Sequence, residues 1–376
     1  MKKKVAIIGS GIAGLTLASL LQTNPNFEFV VYEKEASLNL DEGFGIQLSV
    51  NSVSILNKIG FNQLNKNEKY HPSKLDFYSI NYNKICDLDL TTFNSTNVKY
   101  TTLKRSILIK FLKEKLFSNS IIFRKKINAV EQIKGKINIH FIDGSSDKVD
   151  YLVVSDGVFS HTKSVIEKKF FNPSYYGAVA IRTQIATQDI SNLNSNNISI
   201  IMGSDTHLVL YPINGQKEIN LVCIIRQKSE NSDSIKMILE NKILKEMKNL
   251  VNLFKRDLKS WPIYASSKPT KSIYKNVLYI GDAFYTFPPT MAQGASQSIE
   301  AANEIFELIS DNNTDIQNEY FKKRVERTNL INKRSKFNYF GFHITNPLLK
   351  TLRSFFLKRL VKNKNFIQSY LGKIYQ

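Results

Sequence analysis

The chain has 376 residues, 42% hydrophobic and 22% charged, with a formal net charge of +20. That length suits about two domains, the composition is globular, and no apolar run approaches the roughly 18 residues a membrane span needs. The basic residues are scattered rather than striped, which argues against nucleic acid and leaves a positive field that draws in small anions.

The opening Met1-Lys2-Lys3-Lys4 looks like the start of a secretory leader. No small-residue cleavage site follows it, and the apolar stretch carries glycines at meaningful spacing, so a leader is not expected. Cys86 and Cys223 are the only cysteines; they give neither a disulfide framework nor metal spacing, and a reducing cytoplasm is the expected compartment.

The first expected element is Val5-Ala6-Ile7-Ile8, an unbroken apolar run suited to a buried parallel strand. Gly9-Ser10-Gly11-Ile12-Ala13-Gly14 follows, then a helix through Leu15, Leu17, Leu20 and Leu21. A second strand over 27–32 ends at Glu33 and Lys34. Between strand and helix, the first glycine permits a tight turn, the second admits a pyrophosphate and the third lets the helix pack on the strand. The helix N-terminus favours phosphate charge, and Glu33 stands about 20 residues on, where a carboxylate accepts from ribose hydroxyls. A dinucleotide site is expected here.

Further strand-like segments fall near 74–80, 85–90, 136–142, 149–154, 177–185, 197–202, 207–212 and 218–225, and predict a second, mostly antiparallel sheet. Within 207–212 the two-residue period puts His207, Val209 and Tyr211 on one face. From about 291 the chain reads as helical. The tail 346–376 carries seven Lys/Arg and no acid, with Leu349, Leu352, Phe356 and Leu360 at helical spacing. Such a helix either packs over the body or makes peripheral contact with an anionic membrane.

Three later motifs join the first: Asp150-Tyr151-Leu152-Val153-Val154-Ser155-Asp156-Gly157, Asn276-Val277-Leu278-Tyr279-Ile280-Gly281-Asp282-Ala283 and Pro288-Pro289-Thr290-Met291-Ala292-Gln293-Gly294-Ala295. With Gly43-Phe44-Gly45-Ile46-Gln47, the arginine-led Arg105-Ser106-Ile107-Leu108 and His207-Leu208-Val209-Leu210-Tyr211-Pro212, they run in the order of one family over nearly the whole chain. The sequence resembles the FAD-dependent aromatic hydroxylases, single-component monooxygenases typified by p-hydroxybenzoate and salicylate hydroxylases.

The resemblance implies an α/β fold. A Rossmann-type FAD-binding domain would come in three pieces, 1–70, 101–170 and 271–345, with an inserted, mostly antiparallel β-sheet substrate domain from 71–100 and 171–270 and a basic helical C-terminal tail, 346–376. Gly9, Gly11, Ile12, Ala13, Gly14, Glu33, Lys34, Gln47, Arg105, Ile127, Asp156, Gly281, Asp282, Gln293, Gly294 and Ala295 are the implied cofactor residues. Among them Arg105 would present its fork to the pyrophosphate or ribityl region, and Asp282 would accept from a ribityl hydroxyl. The helix opening at Gln293 would stabilise negative charge on reduced flavin. His207, Tyr211, Asn220 and Pro289 are expected at the substrate, with His207, Tyr211 and Tyr285 as candidates for proton handling; Arg182 is expected to buttress the sheet.

The implied reaction uses NAD(P)H as a transient co-substrate and O2, forming a flavin C4a-hydroperoxide that hydroxylates a small electron-rich aromatic substrate. Phe284 and Tyr285 stand where the family has a small residue and a histidine, and Ala301 replaces an acid. Three alternatives stay open: a hydroxylase of a lipophilic quinone precursor at a membrane surface, suggested by the basic tail; a flavin reductase or dehydrogenase that does not activate oxygen, kept open by Phe284 and Tyr285; and a non-enzymatic FAD-binding protein. With one tryptophan, Trp261, the chain lacks the double-tryptophan signature of flavin halogenases.

Overall fold

The computed structural model describes residues 2–38, 40, 44–190, 193–230, 258–311 and 315–375. Its helices used below are α1 (Ile12–Gln22), α2 (Val50–Asn57), α3 (Arg105–Glu114), α4 (His161–Glu167), α5 (Gly294–Ser310), α6 (Ile316–Phe342), α7 (Pro347–Leu360) and α8 (Lys364–Ile367).

A five-stranded parallel sheet runs in the order Val277–Tyr279, Tyr151–Val154, Lys3–Ile8, Phe27–Tyr32, Ile121–Ile122. Its central strands are unbroken apolar runs because both faces are covered. Val5, Ala6, Ile7, Leu152, Val153 and Val154 are all fully buried. They share one core with α1, α5 and a three-stranded antiparallel sheet built from Ile127–Ile133, Lys136–Phe141 and Ser146–Val149.

A seven-stranded sheet forms the second body, in the order Lys259–Ala265, Ser174–Ala186, Glu218–Arg226, Thr206–Ile213, Ile198–Met202, Lys74–Ser79, Lys84–Asp89. It is antiparallel except where Ile198–Met202 runs parallel to Lys74–Ser79. The expected fold class, a Rossmann-type domain with an inserted mostly antiparallel sheet and a helical tail, is borne out. Two of the middle strand segments fall outside this large sheet. Ile137, Ile139 and Phe141 alternate with polar residues, as in a ribbon buried on one face, whereas 151–154 is an unbroken run and joins the parallel sheet.

A small sheet of Gly45–Leu48, Thr101–Lys104 and Lys69–Tyr70 links the two bodies. From it Lys104 pairs with Glu218 at 2.6 Å and Thr102 donates to the carbonyl of Pro212 at 2.5 Å.

The tail packs on the body through a face different from the expected stripe. Leu357 and Val361 turn inward, and Ile367, Leu371, Ile374 and Tyr375 are buried behind them. Of the apolar stripe read in the sequence, Leu349, Leu352 and Phe356 are exposed, with Leu348 and Phe355 beside them. The segment 347–360 is apolar on more than one side, so spacing alone could not choose the face. Among the described residues no helix is long and apolar enough to cross a membrane.

Candidate active site

The first strand leaves the parallel sheet at Gly9, whose φ of +101° is one that side chains rarely adopt. A Cβ there would also lie 2.7 Å from the carbonyl oxygen of Ser155. The Ser155 hydroxyl fastens this crossing by donating to the carbonyls of Ile8 and Gly9 at 2.8 and 3.0 Å. α1 then starts at Ile12 with Gly11 as its N-cap, no side-chain cap and no acid in its first turn. Its leading N–H groups and positive dipole end are therefore left for an anionic ligand.

Beside this turn lies a cavity of about 250 Å³ whose wall includes Gly9, Gly11, Glu33, Lys34, Ile127 and Asp156. Glu33 accepts from the backbone N–H and the hydroxyl of Ser10 at 2.8 and 2.6 Å, which fixes its carboxylate at the rim. Asp156 is engaged locally: it accepts from the Ser160 hydroxyl and from the Thr162 N–H at the start of α4. Lys125 and Lys126 also line the cavity; nothing but their charge marked them in the sequence.

The third motif meets the first at Gly281. Its φ is +59°, and a Cβ would lie 3.0 Å from the Ala13 side chain of α1 and 3.1 Å from the Ser298 hydroxyl of α5. Asp282 follows. It is solvent-accessible, yet protein crowds its carboxyl closely enough that burial pushes its pKa up to about 6, with the positive charge of Arg105 pulling the other way. Asp282 lines a small pocket with Gly294 and Gln297, and Arg105, the first residue of α3, stands near enough to act on its charge. The N-terminus of α5 opens into the same region with no side-chain cap and no acid in its first turn, and the space at the Cα of Gly294 is open. The Gln293 side chain turns inward instead, donating to the Ser49 hydroxyl at 3.1 Å and accepting from Gln297 at 3.1 Å.

A second cavity, about 160 Å³, lies between the large sheet, the turn Pro289–Ala292 and the tail. His207, Gln47 and Pro289 line it. His207 is fully buried, and its Nδ1 sits 2.8 Å from Nε2 of His343, which is also buried at the end of α6. Burial drives the His207 pKa far below the usual value, and the neighbouring His343 adds to this. Gln47 accepts from the Tyr100 hydroxyl at 2.8 Å.

Tyr211 and Asn220, expected at the substrate, stand beside this cavity's wall: Tyr211 belongs to the same buried cluster as the lining residues Phe77, Tyr100, Ile200 and Phe342. Asn220 accepts from the N–H of Gly45 at 2.6 Å, and Tyr211 packs against the same glycine. Tyr211 shares the His207 face two strand periods further on. Tyr285 is buried against Phe287, with ring centroids 5.5 Å apart, and lines a small pocket together with Asp282 and Gly294 rather than this cavity. Arg182 lies in the strand 174–186, its guanidinium 5.5 Å from the Trp261 ring centre.

Sequence reasoning missed His343, Asn338 and the tail residues of the cavity. Asn338 clamps the turn at 289–292, donating to Met291 Sδ at 2.8 Å and accepting from the Tyr370 hydroxyl at 2.8 Å. The spacing of Leu357, Leu360 and Val361 was the available signal for the tail; a lone histidine after a long helix carries none.

A family profile described as the FAD binding domain matches residues 2–313. The chain belongs to the FAD-dependent aromatic hydroxylase family. The 6-hydroxynicotinate 3-monooxygenase of Bordetella bronchiseptica is 24% identical over 319 residues, covering 80% of this chain and 81% of that protein. Among solved structures, Klebsiella pneumoniae HpxO complexed with FAD and uric acid has a TM-score of 0.85 at 16% identity, covering 99% of this chain and 96% of that one. A salicylate hydroxylase substrate complex has a TM-score of 0.81 at 18% identity, covering 100% and 97%. The family, the cofactor FAD and the enzyme class expected from the motifs, an FAD-dependent monooxygenase, are borne out. The uncapped ends of α1 and α5, the open space at Gly11 and Gly294 and the crowded carboxyl of Asp282 fit that cofactor.

Proposed function

We propose that the enzyme hydroxylates a small electron-rich aromatic compound held in the 160 Å³ cavity, using NAD(P)H and O2. The observation that carries this reading is the course of the segment 281–295. Its turn Pro289–Ala292 walls the cavity, and its two ends, Asp282 and the bare N-terminus of α5, border the cofactor cleft. Substrate and cofactor spaces are thereby adjacent.

Bound FAD would supply the redox chemistry between a nicotinamide and O2. The protein's residues supply the rest. Gly9, Gly11 and the leading N–H groups of α1 would hold the pyrophosphate, with Ile12, Ala13 and Gly14 continuing that turn. Glu33 would accept from a ribose, with Lys34, Ile127 and Asp156 around the adenosine. Arg105 and Asp282 would flank the ribityl chain. The N–H groups at Gly294 and Ala295 would hold the negative charge that reduction creates. His207, neutral in its buried setting, would accept a hydrogen bond from a phenolic hydroxyl at Nε2 and so orient the ring. The tail keeps water from the reacting ring.

A pH effect follows from Asp282. The carboxylate is the form that accepts from hydroxyls, so FAD binding favours proton loss from a group whose unliganded pKa is about 6. FAD affinity is expected to be flat above pH 6 and to fall by up to about tenfold per pH unit below it. Asp282→Asn should weaken binding at neutral pH and flatten that profile. Titration of apoprotein with FAD from pH 5 to 8 checks this; a wild-type profile without a slope below 6 would remove Asp282 from the cofactor site.

The outer face of α7 supports a further reading of where the substrate is met. Leu348, Leu349, Leu352, Phe355 and Phe356 are exposed among basic residues of the tail, a pattern suited to an anionic lipid surface. Co-sedimentation with vesicles containing phosphatidylserine, and not with phosphatidylcholine alone, is the expected result. Equal behaviour with both would count against it.

A further inference from the structure

We propose that the 160 Å³ cavity selects an uncharged, single-ring aromatic substrate whose one polar substituent meets Nε2 of His207, and that it rejects ring carboxylates. The inference rests on the hydroxylase reading above and names the substrate class for the same site.

The first argument is the lining. Among the described residues it consists of aliphatic and aromatic side chains such as Leu75, Phe77, Leu88, Ile200, Val209 and Phe342, with a few neutral polar groups and no Arg, Lys, Asp or Glu. A carboxylate brought here would be stripped of water and given no cation. Burying an unpaired charge is strongly unfavourable, whereas a neutral ring gains from leaving water.

The second argument is which polar atoms remain to be satisfied. Gln47 already receives the Tyr100 hydroxyl, the Thr290 hydroxyl donates to the Ser335 carbonyl at 2.6 Å, and Asn338 is engaged by Tyr370 and Met291. His207 Nε2 is different: it is fully buried and has no hydrogen-bond partner. An unpartnered buried donor or acceptor is destabilising, so a ligand that supplies the missing bond gains from it. Because His207 stays neutral, it offers the cavity a hydrogen bond and no positive charge to hold a carboxylate.

His343 is the positioning residue for this contact. Its Nε2 occupies Nδ1 of His207 at 2.8 Å and so aims Nε2 away from the pair. The Tyr339 ring stands edge-on to His343 with centroids 4.1 Å apart, and Phe342 packs 5.2 Å from His207, which holds the two imidazoles in place.

The third argument is size. A dry apolar cavity of about 150 Å³ accommodates benzene. The volume here, about 160 Å³, suits one ring with small substituents and not a fused ring system.

The test measures binding to the FAD-loaded enzyme, by perturbation of the flavin absorbance, for phenol, toluene, 4-hydroxybenzoate and its methyl ester at pH 7.5. Phenol and the ester should bind at least about tenfold tighter than the carboxylate. Phenol should also exceed toluene, and both His207→Phe and His343→Phe should erase that second preference at unchanged FAD content. Equal or tighter binding of 4-hydroxybenzoate by the wild-type enzyme overturns the proposal without any variant having to fold, as does failure of all four compounds to bind. The hydroxylase reading fails separately: the neutral preference can hold in an enzyme whose bound ligands never stimulate NAD(P)H oxidation.

Discussion

Gly11→Val should leave a folded protein that no longer retains FAD. A Cβ built at Gly11 meets nothing within 4 Å, and the backbone there, at φ −77°, is ordinary for any residue. The unliganded fold therefore has no objection to a side chain. The empty space is the approach to the uncapped N-terminus of α1, and a valine there would occupy the room a pyrophosphate needs. We expect affinity for FAD to fall at least about 100-fold, which is roughly 2.7 kcal/mol, with an unchanged melting temperature of the apoprotein. Gly14→Val is the informative contrast. A Cβ at Gly14 would collide with the Gly9 carbonyl oxygen and press on the Ser155 hydroxyl at 2.6 Å, so strand and helix must separate and stability itself should fall. Flavin absorbance and thermal melts of the two purified variants separate these effects. Stoichiometric flavin in Gly11→Val would refute the cofactor placement.

Arg324→Ala should destabilise the protein by about 3–5 kcal/mol, the range for removing one partner of a buried charge network. Arg324 is 2% exposed and reaches from α6 to α5, contacting Glu300 at 2.9 Å, Glu304 at 3.2 Å and the Gln297 side chain at 2.7 Å. Burial alone would raise the Glu300 pKa, and Arg324 with Arg327 holds it below the ordinary value; burial raises that of Glu304 against the pull of Arg324. Without Arg324 both carboxyls lie in the core with less compensation, and their folded pKa values move up. Stability tied to a raised carboxyl pKa is present at low pH and lost as pH rises through it. The deficit of the variant should therefore be smaller at pH 5.5 than at pH 8. Glu300 also receives Asn51 of α2 at 2.8 Å, and Gln297 binds Gln293 at the mouth of α5. Loosening this network should weaken FAD binding too. Denaturant unfolding at the two pH values is the check, and a deficit under 1 kcal/mol at pH 8 would contradict it.

The parts legible in the sequence are those where backbone geometry dictates residue type. Gly9 and Gly281 take positive φ, and the unbroken runs at 5–8 and 151–154 belong in a sheet covered on both faces, so motif and place coincide. The cavity was harder to see. Its polar centre pairs His207 with a histidine 136 positions away, and no local pattern connects them. Its roof comes from a tail whose helix is apolar on more than one side. Tyr211 and Asn220 were legible only as candidates: alternation reports a face, and it takes the fold to show Tyr211 among the side chains packed around the cavity and Asn220 bonded to Gly45. Tyr285 was singled out because it departs from the family; in the fold that departure is filled by core packing with Phe287.

The central claim is that this chain uses bound FAD and a nicotinamide to oxygenate a neutral ring. It is tested most directly by recording the absorbance of the FAD-loaded enzyme anaerobically on addition of NADPH or NADH, with and without phenols, and then admitting oxygen. The account expects bleaching of the flavin bands that an uncharged phenol accelerates, followed by reoxidation with a hydroxylated product. A folded protein that binds no FAD, or bound flavin that neither nicotinamide reduces under any of these conditions, would contradict it.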